Sequence, residues 1–385
     1  MKNNKKTAMI STVYPSSGGV ATYTKYLFDE AKKMDNEILI LADKVNTKTR
    51  EDKSIIRCWD KNPKYVYQIL KEVIKQKIKR VHIQQELNIF GGKFTAVLLP
   101  FLILFLRVLR VEVIMTVHGV VPLKEVNKAF MKENGYEGSP KIQKFAIKIL
   151  YSFICLFVNK IIVHEKKFKE YLEDYYVNTK KVYVIGHGIK ELKDLIPENT
   201  AKSKLKISNN KYAFIYLGYV TGYKGIDLII EALKELKDQD FNFIVVGSKH
   251  PRRKEEKEYL DYYNQIQSFF KKDKRCIFFD YAPEEEINYF FRAADCAVFP
   301  YTVQIASSGP MALAIANERL VIGSSAFEGV LPRTLIFKRD KKSLIHLMKK
   351  AKSGKLNNQI KEIKNMKDLL SWENVAKKTI GVWKK

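Results

Sequence analysis

Apolar and polar positions fall into two kinds of block along this chain. Short apolar runs of strand length occur at 7–13, 37–41, 80–84, 112–117, 160–164 and 182–185. Between them lie longer stretches whose apolar residues recur at helical spacing: one through Ala21, Tyr23, Leu27 and Ala31, then 63–77, 141–159 and the shorter 166–175. The pattern restarts after residue 210. Strands are predicted at 213–217, 241–246, 276–279, 296–300 and 320–323, and helices at 226–236, 252–271, 283–293 and 311–316. Strands alternating with helices in this way predict βα units and parallel sheets. The run 96–106 is apolar except for Pro100. It is too short to cross a bilayer, which takes about 20 residues, and predicts a buried helix, with shallow membrane insertion as the second reading.

The two series are separated by KELKDLIPENTAKSKLKISNNK, polar, lysine-rich and without sustained periodicity, which predicts a linker. The expected organisation is a domain over 1–190, a linker over 191–210, a second domain over 211–365, and a terminal amphipathic helix over 366–385 that packs back on the first domain. A chain of 385 residues is the right length for two domains, and 46% apolar residues suffice for two cores. The four cysteines, Cys58, Cys155, Cys276 and Cys296, stand far apart with no metal-ligand spacing, so they predict reduced thiols of an intracellular protein. The basic N-terminus runs straight into a strand and lacks the apolar core of a signal peptide.

The formal charge of +27 is spread along the chain with a lean towards the first 190 residues. An anionic membrane surface or a phosphorylated ligand fits this excess better than nucleic acid, because no basic base-reading helix or aromatic RNA-binding signature is present. A solvated lysine surface is the plain alternative.

Chemistry concentrates in loops that follow strands, the edge where open α/β sheets bind ligands. After the first strand comes Tyr14-Pro15-Ser16-Ser17-Gly18-Gly19; after the third, Glu86 and Asn88; after the fourth, His118-Gly119; after the sixth, Gly186-His187-Gly188. In the second half, Gly218 breaks a strand before a loop holding Gly222, Lys224 and Gly225 at a helix start. Free N–H groups at such a start attract anions, and a lysine adds a full charge. An ordinary βα connection with a solvated lysine remains the alternative. A second helix start, Ser307-Ser308-Gly309-Pro310, offers a cap and a proline that wastes no donor. Two such starts in one domain point to phosphate. For Glu86 and His118, solvated and structural roles respectively stay open.

In order and spacing, SSGGVATY, TVHG, IVHEKKFKEYL, VYVIGHGI, LGYVTGYKGIDLIIEAL, FIVVGS, the run IFFDYAPEEEINYFFRAADCAVFP, ASSGPMALAIANERLVIGSS and SWENVAKKTIGVW resemble the family-4 retaining glycosyltransferases over nearly the whole chain. The resemblance implies an α/β fold of the GT-B kind, two Rossmann-like doubly wound parallel-sheet domains facing across a cleft. It implies transfer of a sugar from a nucleotide-sugar donor, held mainly by the second domain, to a glycolipid, lipid-linked saccharide or surface polysaccharide acceptor. It implies catalytic roles for His118, beside the transferred sugar, and Lys224, neutralising the diphosphate. Donor contacts fall to Gly18, Gly19, Gly218, Gly247, Ser307, Ser308 and Gly309, and acceptor-side contacts to Glu86 and His187. No cofactor and no metal are expected, nor any nucleic-acid partner. The implied location is the cytoplasm, with peripheral contact at the inner face of the cell membrane.

The chain departs from that family in three places. Tyr219 and Thr221 occupy the region where relatives carry an arginine, and Ile305 and Leu313 stand where relatives carry two glutamates. Losing a charge-assisted contact to a ligand hydroxyl typically costs about 1.5 to 3 kcal/mol. Arg252 and Arg253 are candidates for replacement charge, with a solvated helix start as the plainer reading. A catalytically silent GT-B protein serving as a binding or scaffold subunit of a glycosylation complex is the alternative function.

Overall fold

A computed structural model describes residues 5–16, 18–45, 52–86, 89–133, 138–251 and 253–385. Ser17, Asn88 and Arg252 lie outside the described residues. The chain divides into two units: residues 1–188 with 305–307 and 372–385, and residues 189–304 with 308–371.

In the first unit the order is β1 (Thr7–Ser11), α1 (Gly19–Met34), β2 (Leu39–Asp43), β3 (Ile55–Trp59), α2 (Tyr65–Lys75), β4 (Arg80–Gln85), α3 (Lys93–Ala96), α4 (Leu99–Val108), β5 (Glu112–Val117), α5 (Lys128–Glu133), α6 (Pro140–Phe157), β6 (Lys160–Val163), α7 (Lys166–Glu173) and β7 (Val182–Val184). The strands form one sheet, β3-β2-β1-β4-β5-β6-β7, with every pair parallel. β1 and β4 are neighbours from which the chain winds outwards in opposite directions, so the loops after them border a switch point, where such sheets take ligands. Strands buried on both faces need no polar side, which is why β1 reads Thr-Ala-Met-Ile-Ser and every residue is buried. One core packs Ile83, Val113 and Ile161 against Ile69, Leu102, Leu106 and Ile154 of α2, α4 and α6.

The second unit runs α8 (Glu198–Lys204), β8 (Tyr212–Tyr219), α9 (Ile226–Glu235), β9 (Phe241–Ser248), α10 (Lys257–Lys272), β10 (Cys276–Phe279), α11 (Ile287–Ala293), β11 (Cys296–Phe299), α12 (Gly309–Ala316), β12 (Leu320–Ser324), β13 (Ile336–Phe337), α13 (Lys341–Lys352) and α14 (Gln359–Leu369). Its sheet is β10-β9-β8-β11-β12-β13, again parallel, with the switch point between β8 and β11. The last helix, α15 (Trp372–Lys384), belongs to the first unit. There its Trp372, Val375, Ala376 and Trp383 share a core with Met9, Tyr23, Leu27 and Ile40, on the sheet face covered by α1.

Several expectations need adjusting. The polar segment 191–210 is not merely a linker. It holds α8, which packs on α11 and buries Ala201 and the stem of Lys202. The apolar run 96–106 is a helix, but only half of it is buried: Leu102, Ile103 and Leu106 face the core, while Phe101, Phe105 and Val108 are exposed. β3 has no counterpart in the sequence reading, nor do β13, α13 and α14. Among the described residues, no helix is long and apolar enough to cross a membrane.

Candidate functional site

In the second unit the loop after β8 turns sharply. Gly225 has φ +70°, and a β-carbon there would lie 2.0 Å from the carbonyl oxygen of Pro300. Only glycine fits a left-handed backbone pressed this closely on its neighbour. That approach brings the loop after β8 against the loop after β11, where the amide of Thr302 donates to the carbonyl of Tyr223 at 2.8 Å.

The contact sets up a chain of polar groups. Lys224 Nζ donates to Tyr301 Oη at 2.6 Å, and Tyr301 Oη lies 2.9 Å from Ser308 Oγ. An ammonium can only donate, so the phenol accepts from it and gives its own hydrogen to Ser308. Ser308 Oγ also accepts from the amide of Met311, capping α12, with Pro310 in the first turn. With its acceptor sites taken, the Ser308 hydroxyl hydrogen is left to point at a ligand. Burial lowers the Lys224 pKa and raises that of Tyr301, which holds Tyr301 as a neutral phenol. Lys224 and the α12 start are therefore two hydrogen bonds apart, beside the β8/β11 switch point. Tyr301 was missed in the sequence, where an aromatic after a strand reads as core.

The glycines play distinct parts. Gly309 opens α12 with empty space where a side chain would be, leaving its amide approachable. Gly218 lies within β8 near its carboxyl end. Gly247, in β9, is held close to Phe278 and Val220, with a β-carbon there 3.1 Å from each, so its smallness serves packing. Arg253, its side chain largely covered and packed over the Tyr259 ring, pairs with Glu256 at 2.8 Å in a turn preceding α10. It makes a poor replacement for the family arginine.

In the first unit, Gly18 (φ +124°) and Gly19 begin α1 with nothing within 4 Å of a β-carbon at either. No side chain caps that helix. Its first amides stay available to an anion at the β1/β4 switch point. Glu86 is exposed directly after β4.

His118, after β5, is buried. Its Nδ1 is 3.1 Å from His164 Nε2, and its Nε2 is 2.9 Å from the side-chain amide of Gln84. The carbonyl of Ile185 can only accept, so His164 Nδ1, 3.1 Å away, carries the hydrogen. Between His164 Nε2 and His118 Nδ1, 3.1 Å apart, one hydrogen is shared. At the far end Trp383 Nε1 can only donate, to His82 Nδ1 at 3.3 Å, leaving His82 Nε2 to donate to Thr116 Oγ1 at 2.8 Å. Gln84 lies between the two histidines, its Oε1 2.9 Å from His118 Nε2 and its NH2 nitrogen 3.4 Å from His82 Nε2. Desolvation, then the neighbouring histidines, hold the His118 pKa well below its ordinary value. Burial lowers His164 and His82 to about 3. His187 packs beside them, its ring 5.4 Å from His164 and 5.3 Å from Tyr23, with Nδ1 donating to the Gly188 carbonyl at 2.8 Å. The structure thus joins His118 with His187 and adds Gln84, which no sequence motif marked, and His164 and Tyr23, which lie in the segments IVHEKKFKEYL and SSGGVATY but carry no assigned role there.

Ser307 groups with this unit. Its hydroxyl donates to Glu165 Oε1 at 3.3 Å, and burial pushes the Glu165 carboxyl up to about 8. Among the described residues, no three His, Cys, Asp or Glu are grouped to hold a metal ion.

The model of Glycosyltransferase Family 4 matches residues 17–191, and that of Glycosyl transferases group 1 matches 197–330. A curated relative, lipopolysaccharide 1,2-N-acetylglucosaminetransferase of Salmonella typhimurium, is 26% identical over 196 residues. That match covers 47% of this chain and spans about half, 50%, of the relative's length. Among solved structures, sucrose-phosphate synthase from Thermosynechococcus elongatus superposes with TM-score 0.74 at 16% identity, over 99% of this chain and 98% of that one. HepE of Anabaena in complex with UDP gives 0.69 at 10%, over 98% and 99%. At these identities the structural likeness speaks for the fold. Two glycosyltransferase family models, one on each of two parallel-sheet units with open loops at the switch point, give the chain a resemblance to the family-4 glycosyltransferases, and its fold is that of the GT-B enzymes.

Proposed function

We propose that the protein is a retaining transferase that moves a hexosyl group from a nucleotide-diphosphate sugar to a glycolipid, lipid-linked saccharide or surface polysaccharide acceptor. The observation that carries this reading is the chain Lys224–Tyr301–Ser308 at the start of α12. When the sugar–phosphate bond breaks, negative charge grows on the diphosphate. A fixed ammonium, a serine hydroxyl and helix-start amides are aimed to meet that charge, and held groups need no reorganisation as it develops. HepE, solved with UDP, and the Salmonella relative, named for lipopolysaccharide, agree with a uridine donor and a surface-glycan acceptor.

His118 acts in this scheme as a neutral ring that shapes the sugar's surroundings. Both of its nitrogens are committed to Gln84 and His164, so it is not a general base. A donor-hydrolysis and transfer assay over UDP-, GDP- and other nucleotide sugars tests the assignment, with Lys224→Ala and His118→Ala beside the wild type. Turnover surviving both substitutions would overturn it.

The second reading is the silent scaffold subunit, favoured by the apolar Ile305 and Leu313 in place of family glutamates. Calorimetry with nucleotide diphosphates separates the two. Clear binding supports the transferase, and no binding at high concentration supports the scaffold.

A further inference from the structure

One face of the first unit's sheet is covered by α2, α4 and α6, which contact one another in that order. Such helices normally turn apolar side chains inwards and polar ones outwards. Two of these do not. On α6, Ile147, Tyr151, Ile154 and Cys155 are buried, yet Ile142, Phe145, Ile149, Phe153 and Leu156 are exposed. At 3.6 residues per turn these five fall within an arc of about 80°, a second apolar stripe opposite the buried one. On α4, Phe101, Phe105 and Val108 form a matching stripe within about 60°, and Val108 is 71% exposed. The stripe continues backwards through Val97 to Phe94, which is 90% exposed. Because α4 and α6 pack side by side, the two stripes belong to one helical layer.

The charge on α4 and α6 has one sign. Residues 93–110 and 140–157 contain no aspartate or glutamate, while Arg107, Arg110 and Lys141 are exposed and Lys144 and Lys148 half-buried. The carboxylate that follows, Glu112, is already neutralised by Lys160 at 2.6 Å, Lys5 at 2.8 Å and Arg80 at 3.0 Å. An apolar surface of this extent marks an interaction site. Its partner must accept apolar side chains and supply negative charge.

We propose that the outer face of α4 and α6 docks in the plane of an anionic bilayer. Phe101, Phe105, Phe145, Phe153 and their aliphatic neighbours enter the headgroup and acyl boundary, while Arg107, Arg110, Lys144 and Lys148 meet lipid phosphates. A second copy of the chain fits less well, since a two-fold contact would press like charges together without a carboxylate to answer them. Surface and charge belong to the first unit alone, so docking does not depend on the transfer reaction and is read without any sugar donor.

The experiment is vesicle cosedimentation of the full chain, with equal parts phosphatidylglycerol and phosphatidylcholine set against phosphatidylcholine alone. Wild type is expected to bind the mixed vesicles, less as salt rises, and to bind neutral ones weakly. Phe105→Ser/Phe145→Ser/Phe153→Ser is expected to lose roughly tenfold or more in partitioning, with a small loss in thermal midpoint, because about half or more of each ring is already in solvent. Should that variant fail to fold, Arg107→Gln/Lys144→Gln/Lys148→Gln decides by losing the anionic preference. Failure of wild type to bind, or variants that bind as wild type does, would overturn the proposal. So would a wild-type dimer in sedimentation that the serine variant dissociates, since the face would then be a self-association surface.

Discussion

His164 Nε2 and His118 Nδ1 stand in hydrogen-bond contact at 3.1 Å, and burial keeps both rings neutral. The folded chain therefore refuses protons that the unfolded chain takes up near its ordinary histidine pKa of 6.5. A depressed pKa gives stability that is present above the unfolded value and lost as pH falls towards the folded one, so the fold weakens from about pH 6.5 down towards 3. Urea midpoints measured between pH 7 and pH 4.5 should fall steeply. In His164→Asn, whose amide can still donate to Ile185, the slope should lessen by about one proton. An unaltered slope would contradict the neutral pair.

Tyr301→Phe removes the hydroxyl that ties Lys224 to the α12 cap without altering the ring. A hydrogen bond to a charged group contributes about 1.5 to 3 kcal/mol, so calorimetry should show UDP affinity down by roughly tenfold or more. Thermal stability in the absence of nucleotide should change less. Equal UDP affinity would separate Tyr301 from the phosphate site.

At Gly225 both conformation and space exclude a side chain. Gly225→Ala should destabilise the chain by about 2 kcal/mol or more, from a strained φ and a contact with Pro300 that cannot be relieved by rotating a bond. The neighbouring loop glycine, Gly309, meets no atom at its β-position. Gly309→Ala should fold normally, and denaturation curves of the two variants make the comparison.

Glu165 responds to pH in the opposite sense to the histidines. Its folded pKa of about 8 exceeds the ordinary 4.5, so the unfolded chain releases a proton that the folded one keeps. The contribution of Glu165 to stability should decline as pH rises from about 4.5 to 8 and level off above, against the larger opposite trend of the histidines below pH 6.5. Glu165→Gln removes that decline. Its thermal midpoint should exceed wild type at pH 8.5 and converge with it at pH 4.5.

The βα alternation, the glycine-bearing loops after the strands and the two helix starts at Gly225 and Ser308 were legible because apolar periodicity and glycine placement are local properties; the strand order, and with it the switch points, was not. What stayed hidden depended on contacts. β3, Ile-Ile-Arg-Cys-Trp, is a short edge strand with a register shift against β2 and a polar residue at its centre. α8, Glu-Asn-Thr-Ala-Lys-Ser-Lys, has no apolar stripe and is held by Ala201 and a lysine stem. In α4 hydropathy announced a helix but could not say that one of its apolar faces would remain outside. Gln84 and Tyr301 carry no motif, and His164 has no assigned role within its segment, because their parts come from what lies about three ångströms away.

The placing of α15 bears on how the chain is made. Residues 372–384 leave the ribosome only after the whole second unit, yet Trp372 and Trp383 complete the core that Met9, Tyr23 and Ile40 begin. The N-terminal sheet thus waits, with one side unroofed, through the synthesis of the whole second unit. A nascent chain halted near residue 190 should accordingly be sensitive to protease and bind chaperones, although its seven strands have all been translated.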